Sequence, residues 1–157
     1  MQPAKNGFTL VELLVVIAII GVLATLGTAA YSGARNQART AKAKHDIDTI
    51  VTAVKMLESD TGYWPGRQTV DQTAASHGSE IWDLSTPAAG LVQTDGHYSN
   101  WNGPYIGTMP IDPWGHKYFY DPDYTVGTTK HVVIGSFGPN GVGQNVYDSD
   151  NVYKIML

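Results

Sequence analysis

Phe8 to Ala34, FTLVELLVVIAIIGVLATLGTAAYSGA, decides how the rest of the chain is read. Between Leu13 and Ala34 no side chain carries a charge, and a helix of roughly 20 such residues crosses a hydrocarbon core of about 30 Å. A secretory signal peptide has a short apolar core with a small-residue cleavage site on its far side. Here the run is longer, and the small residue that stands out, Gly7, lies on the near side. A plain transmembrane anchor accounts for the length and the missing charge. It does not account for Glu12, because an ionisable side chain inside an apolar helix is costly unless paired and so marks a functional position.

Lys5, then Gly7 followed by Phe8-Thr9-Leu10-Val11-Glu12-Leu13-Leu14, resembles the class III signal of type IV pilins and of the type II secretion pseudopilins. The resemblance implies a leader over residues 1–7, cut between Gly7 and Phe8 by a membrane-embedded prepilin peptidase that also methylates the new N-terminus at Phe8. It implies too that Glu12 pairs during assembly with the Phe8 ammonium of a neighbouring subunit. Each charge alone is unfavourable in lipid, and joining them removes both penalties while fixing the register between subunits. The plainer alternative is a Glu12 solvated at the headgroup level.

The chain has 157 residues, enough for one domain beyond the anchor. Its net charge of -4 is unevenly placed: Arg35 to Ser59 holds five bases and three acids, whereas Asp60 onward holds four bases and ten acids. An acidic head argues against nucleic acid as the main partner, since phosphate contacts need a basic surface. The basic cluster past the apolar run suits lipid headgroups or subunit interfaces. Cysteine is absent, which excludes disulfides, zinc–thiolate sites and thiol catalysis. Many type IV pilins close their C-terminal loop with a disulfide, and the major pseudopilins are similar to this chain in lacking one.

Beyond Ala34 the pattern turns amphipathic. Ala43, Ile47, Ile50, Val51, Val54 and Leu57 recur at spacings of three and four, with Lys44, Asp48, Lys55 and Glu58 between them. No proline occurs from Thr9 to Tyr63, so residues 35–60 continue the apolar helix over residues 8–34. About 50 residues at 1.5 Å each reach on the order of 80 Å. Gly21, Gly27 and Gly33 weaken the apolar half and allow close helix packing. Ala29 stands where many relatives of the resembled family carry a proline. Asp60-Thr61-Gly62 predicts the helix end, and Pro65 bars continuation.

Residues 61–157 form the predicted head. The stretch from Gly66 to Gly96 reads as a loop with a short helix near Ser79 to Leu84. His116 to Tyr120 and Lys130 to Ile134 are aromatic or β-branched runs that predict strands, with Tyr124 to Lys130 as their link. About three antiparallel strands on the helix make the smallest self-sufficient head. Trp101-Asn102-Gly103-Pro104-Tyr105-Ile106 and Pro110-Ile111-Asp112-Pro113-Trp114-Gly115-His116-Lys117-Tyr118 resemble segments of the major pseudopilins, the G subunits. Physically they are rigid turns that bury aromatics against a sheet.

Ser136-Phe137-Gly138-Pro139-Asn140-Gly141-Val142-Gly143, followed by Asp148-Ser149-Asp150, resembles the calcium loop of that family. The resemblance implies calcium held by Ser136, Asn140, Asp148 and Asp150, with Asn140 departing from the family's aspartate. Calcium takes six to eight oxygens, and an acidic surface turn without metal is the other reading. His45, His77, His97, His116 and His131 show no zinc-ligand spacing. Ser136 lacks the first glycine of a nucleophile elbow, and the glycines from Gly138 to Gly143 are not in phosphate-loop order. No enzyme activity is expected.

The expected fold is α+β and pilin-like: a long N-terminal helix, part apolar and part amphipathic, packed against a small antiparallel sheet with a C-terminal loop. The resemblance implies a pseudopilus subunit anchored once in the inner membrane with its head in the periplasm, then polymerised with copies of itself into a periplasmic filament. It implies minor pseudopilins and an inner-membrane assembly platform as further partners. Two rivals remain at this point: a type IV pilin for adhesion, motility or DNA uptake, and a monomeric membrane-anchored module that binds sugar or calcium.

Overall fold

The computed structural model describes residues 7–69 and 80–156, without the side chains of 26–30. The leader before Gly7, the packing of Gly27 and Ala29, and residues 70–79 of the expected loop lie outside the described residues. Helix α1 runs over Leu10–Thr61, 52 residues. The chain divides into two compact units, Met1–Ala38 and Arg39–Leu157.

In the first unit the aliphatic side chains have no neighbours to bury them. From Leu10 to Leu23 every Leu, Ile and Val is between 45% and 80% exposed. They occupy almost consecutive positions, so the apolar surface goes all round the helix rather than along one stripe, the pattern of a helix meant for apolar surroundings on every side. Among the described residues no helix is long and apolar enough to cross a membrane.

In the second unit the predicted stripe is the core. Ala43, Ile47, Ile50, Val51, Val54 and Leu57 are all buried, as spacings of three and four require of one helix face. The helix stops where expected. Gly62 adopts φ 77°, the left-handed conformation that glycine takes without steric cost, and its N–H donates to the Glu58 carbonyl at 2.7 Å. The Thr61 hydroxyl donates to the Leu57 carbonyl at 2.7 Å and accepts from the Tyr63 N–H. Strands β1 (Tyr63–Trp64) and β2 (Gln68–Thr69) then form a minimal hairpin around the 3-10 turn Pro65–Arg67.

The main sheet has the order β3-β4-β5, from β3 (Tyr118–Val126), β4 (Thr129–Ser136) and β5 (Val152–Ile155), with both pairings antiparallel. Alternation along each strand divides two clusters. Tyr118, Tyr120, Val132 and Ile134 join the helix core, while Phe119 and Val133 point to the other face and meet Tyr124, Phe137 and Trp82. Helix against antiparallel sheet is the α+β arrangement expected.

Two local expectations need correction. The short helix near Ser79 to Leu84 is not formed over its described residues: Ile81 exchanges both backbone hydrogen bonds with Tyr120 at 2.8 and 2.9 Å, and the Leu84 N–H donates to the Tyr118 carbonyl at 3.1 Å. The open edge of β3 takes the bonds a helix would need, and a 3-10 turn follows only at Pro87–Ala89. The strand link is also shorter than Tyr124 to Lys130. The ladder shifts register between Asp121 and Tyr124, where Pro122 has no N–H to donate, and resumes so that Val126 pairs with Thr129.

Candidate functional site

At the start of α1, Thr9 and Glu12 form a capping box. The Thr9 N–H and hydroxyl both donate to Glu12 Oε2, at 2.8 and 2.7 Å, and the Glu12 N–H donates back to Thr9 Oγ1 at 3.3 Å. This satisfies helix-end donors that have no partner within the helix. The T-x-x-E signal for this cap stands in the sequence. Glu12 therefore has a local role besides the assembly role implied by resemblance. Gly7 and Phe8 precede the helix as exposed coil, with Phe8 84% exposed, so the peptide bond between them lies outside regular structure.

The C-terminal loop between β4 and β5 brings two of its four predicted ligands together. Asn140 Nδ2 donates to Asp148 Oδ2 at 2.8 Å, while Asn140 Oδ1 accepts from the Val142 N–H at 2.9 Å. Asp148 Oδ1 accepts from the Asp150 N–H at 3.1 Å. Asp150 lines a groove with Thr40, Lys44 and Tyr153. Ser136 is fully buried at the end of β4; its hydroxyl donates to Asp112 Oδ2 at 2.5 Å and accepts from the Gly138 N–H at 3.0 Å. Among the described residues no group of three or more His, Asp or Glu is placed to hold a metal ion.

Asp112 is the residue that sequence reasoning passed over. It is 4% exposed, and besides the Ser136 hydroxyl it accepts the N–H groups of Trp114 and His116 on Oδ1, at 3.0 and 2.7 Å. An aspartate opening a Pro-Trp-Gly turn is the available signal, since its side chain mimics a turn of backbone. His116 Nδ1 lies 3.6 Å from Asp112 Oδ2. A serine, an aspartate and a histidine thus meet, but the serine gives its hydrogen to the carboxylate rather than to the imidazole. The trio ties the end of β4 to the turn before β3.

The aromatic turn Trp101 to Tyr105 has the same structural character. Trp101 donates its indole N–H to the Gly90 carbonyl at 2.7 Å and meets the Tyr105 ring edge-on with centroids 5.9 Å apart. Tyr105 donates its hydroxyl to Asp60 at the foot of the helix, at 3.1 Å.

Comparison with known proteins agrees with these features. The family described as type II secretion system (T2SS), protein G matches residues 30–154, and the prokaryotic N-terminal methylation motif matches residues 3–28. The type II secretion system core protein G of Pseudomonas aeruginosa is 32% identical over 148 residues, 94% of either chain. That of Escherichia coli K12 is 36% identical over 116 residues, covering 73% of this chain and 70% of its own. The fold is also that of the solved major pseudopilin from the type 2 secretion system of enterohaemorrhagic Escherichia coli: TM-score 0.52, 22% identity, 77% of this chain and 86% of that one covered. The chain belongs to the type II secretion system protein G family.

Proposed function

We propose that this chain is a structural subunit of the type II secretion pseudopilus and works by polymerisation, not catalysis. The observation that carries the reading is the all-round exposure of the aliphatic side chains from Leu10 to Leu23. Such a surface is unfavourable in water and needs a lipid or protein setting as apolar as itself. Before assembly that setting is the inner membrane, with the acidic head on the periplasmic side; afterwards it is the packed helices of neighbouring subunits. Helix backbone hydrogen bonds are satisfied internally in both places.

In this reading a prepilin peptidase removes the leader up to Gly7 and methylates Phe8. The new ammonium then lies next to Thr9, the cap of α1, and Glu12 supplies the opposite charge that pairs with it on an adjacent subunit. Minor pseudopilins and an inner-membrane assembly platform are the further partners, and the filament helps move folded proteins across the outer membrane. The type IV pilin alternative is not favoured, because the family matched over most of the chain is protein G.

Formaldehyde crosslinking of the native chain, in membranes of a host with an intact secretion apparatus, tests this. The expected product is a ladder of multiples of the subunit, lost when the inner-membrane assembly platform is inactivated. A monomer alone is the outcome expected of an anchored binding module and contradicts the reading.

A further inference from the structure

We propose that the C-terminal loop of this chain is closed by its own hydrogen bonds and ring packing and takes no calcium, the Asn140 amide standing where a cation would otherwise bridge two carboxylates. The calcium implied by resemblance does not fit the residues present. Calcium needs six to eight oxygens turned inward to one point. Here Asn140 Oδ1 is held by the Val142 N–H, which turns the amide so that its Nδ2 hydrogens face Asp148 Oδ2 at 2.8 Å. A donor aimed at the carboxylate occupies the position a cation must take. The Ser136 hydroxyl is buried and committed to Asp112.

The remainder of the loop is held by contacts that also need no metal. A Cβ on Gly143 would lie 2.0 Å from the Phe137 ring, one on Gly141 would lie 2.4 Å from His116 Nε2, and one on Gly138 would lie 1.9 Å from the Asp150 carbonyl oxygen. The glycines therefore let the loop backbone lie directly on its supports. Asn151 Nδ2 donates to Tyr124 Oη and to the Val146 carbonyl, both at 2.9 Å, tying the loop's end to the sheet. An aspartate at position 140, in the same turn, sets two carboxylates against each other and creates the demand for a cation that this chain has removed.

The test follows the melting of the full chain in detergent by the fluorescence of Trp64, Trp82, Trp101 and Trp114, and its outcome does not depend on whether the chain polymerises. A metal bound only by the folded state raises the melting temperature with its concentration. The wild type is expected to melt at the same temperature in chelator and in millimolar calcium. Asn140→Asp is expected to melt lower in chelator and to recover on adding calcium. A wild-type melting temperature that climbs with calcium overturns the proposal, as does an Asn140→Asp chain indifferent to it. Should Asn140→Asp fail to fold without metal, Asn140→Ala decides: it is expected to melt lower than the wild type by an equal amount with and without calcium, and a calcium-dependent deficit overturns the proposal.

Discussion

Tyr118 donates its hydroxyl to Asp46 Oδ2 at 2.9 Å, joining the first residue of β3 to the buried face of the helix. Lys42 reaches the same oxygen at 2.6 Å. Burial, and then the Asp46 carboxylate, push the Tyr118 hydroxyl far above the ordinary tyrosine range, so it keeps its proton and remains the donor to Asp46. Tyr118→Phe keeps the buried ring and deletes only this bond. The expected loss is roughly 1.5 kcal/mol, the low end for a bond to a charged acceptor because Lys42 still holds Asp46. Urea denaturation checks it; an unchanged midpoint would show that the hydroxyl contributes nothing to the joint.

Asp121 and Asp123 give the head a pH dependence of definite sign. Asp121 is fully buried, and Asp121 Oδ2 and Asp123 Oδ1 are both buried without a hydrogen-bond donor among the described residues. Burial above all, with Asp123 and Glu80 adding like charge, raises the Asp121 carboxyl to about 7 against the opposing hydrogen bond from the Asp123 N–H to Asp121 Oδ1, while Lys130 pairs with Asp123 at 2.8 Å. A proton on Asp121 Oδ2 supplies the missing donor. The folded value lies above the unfolded value of about 4, so stability is lost from about pH 4 to about pH 7 and is constant beyond. Asp121→Asn, whose amide donates at every pH, is expected to melt higher than wild type above pH 7 and to lose this slope. Equal melting temperatures at pH 8 would contradict it.

Asp112 is expected to be the most sensitive polar position of the head. Asp112→Ala leaves the Ser136 hydroxyl and the N–H groups of Trp114 and His116 without their acceptor, at a cost of about 3 to 5 kcal/mol. Asp112→Asn retains an oxygen for the two N–H groups and is expected to lose less. Chemical denaturation of the two variants measures the difference, and a loss under 1 kcal/mol for the alanine variant would remove Asp112 from its structural role.

Glu12 has two roles that one substitution separates. Glu12→Gln keeps an oxygen for the Thr9 donors and removes the charge. Helix content by circular dichroism is expected to stay unchanged while filament yield collapses. Filaments at wild-type yield would reduce Glu12 to its cap.

Much of this was readable in advance where the signal is local. The positions from Ala43 to Leu57 announce their buried face by spacing alone, and Gly62 announces the stop. Signals that depend on distant partners were not readable. Ile81 and Leu84 pass for a helical turn until Tyr120 and Tyr118 are placed beside them. Pro122 and Asp123 look like the punctuation of a longer link, yet β3 passes through them with a register shift and turns only at Gly127 and Thr128. β5 is only Val152–Ile155, too short to stand out beside the acidic loop before it. Asp112 shows its local turn bonds to Trp114 and His116 in the sequence, but not its third donor, Ser136, 24 residues on. At the loop, the order of Ser136, Asn140, Asp148 and Asp150 does not tell what each side chain bonds to: Asn140 reaches Asp148, whereas Ser136 turns to Asp112.

The most direct test is intact mass spectrometry of the polypeptide isolated from its native membrane. A subunit that begins at Phe8 and is heavier than the unmodified chain by one methyl group is the predicted result. A polypeptide that still carries residues 1–7, in cells where the prepilin peptidase is active, would contradict the account.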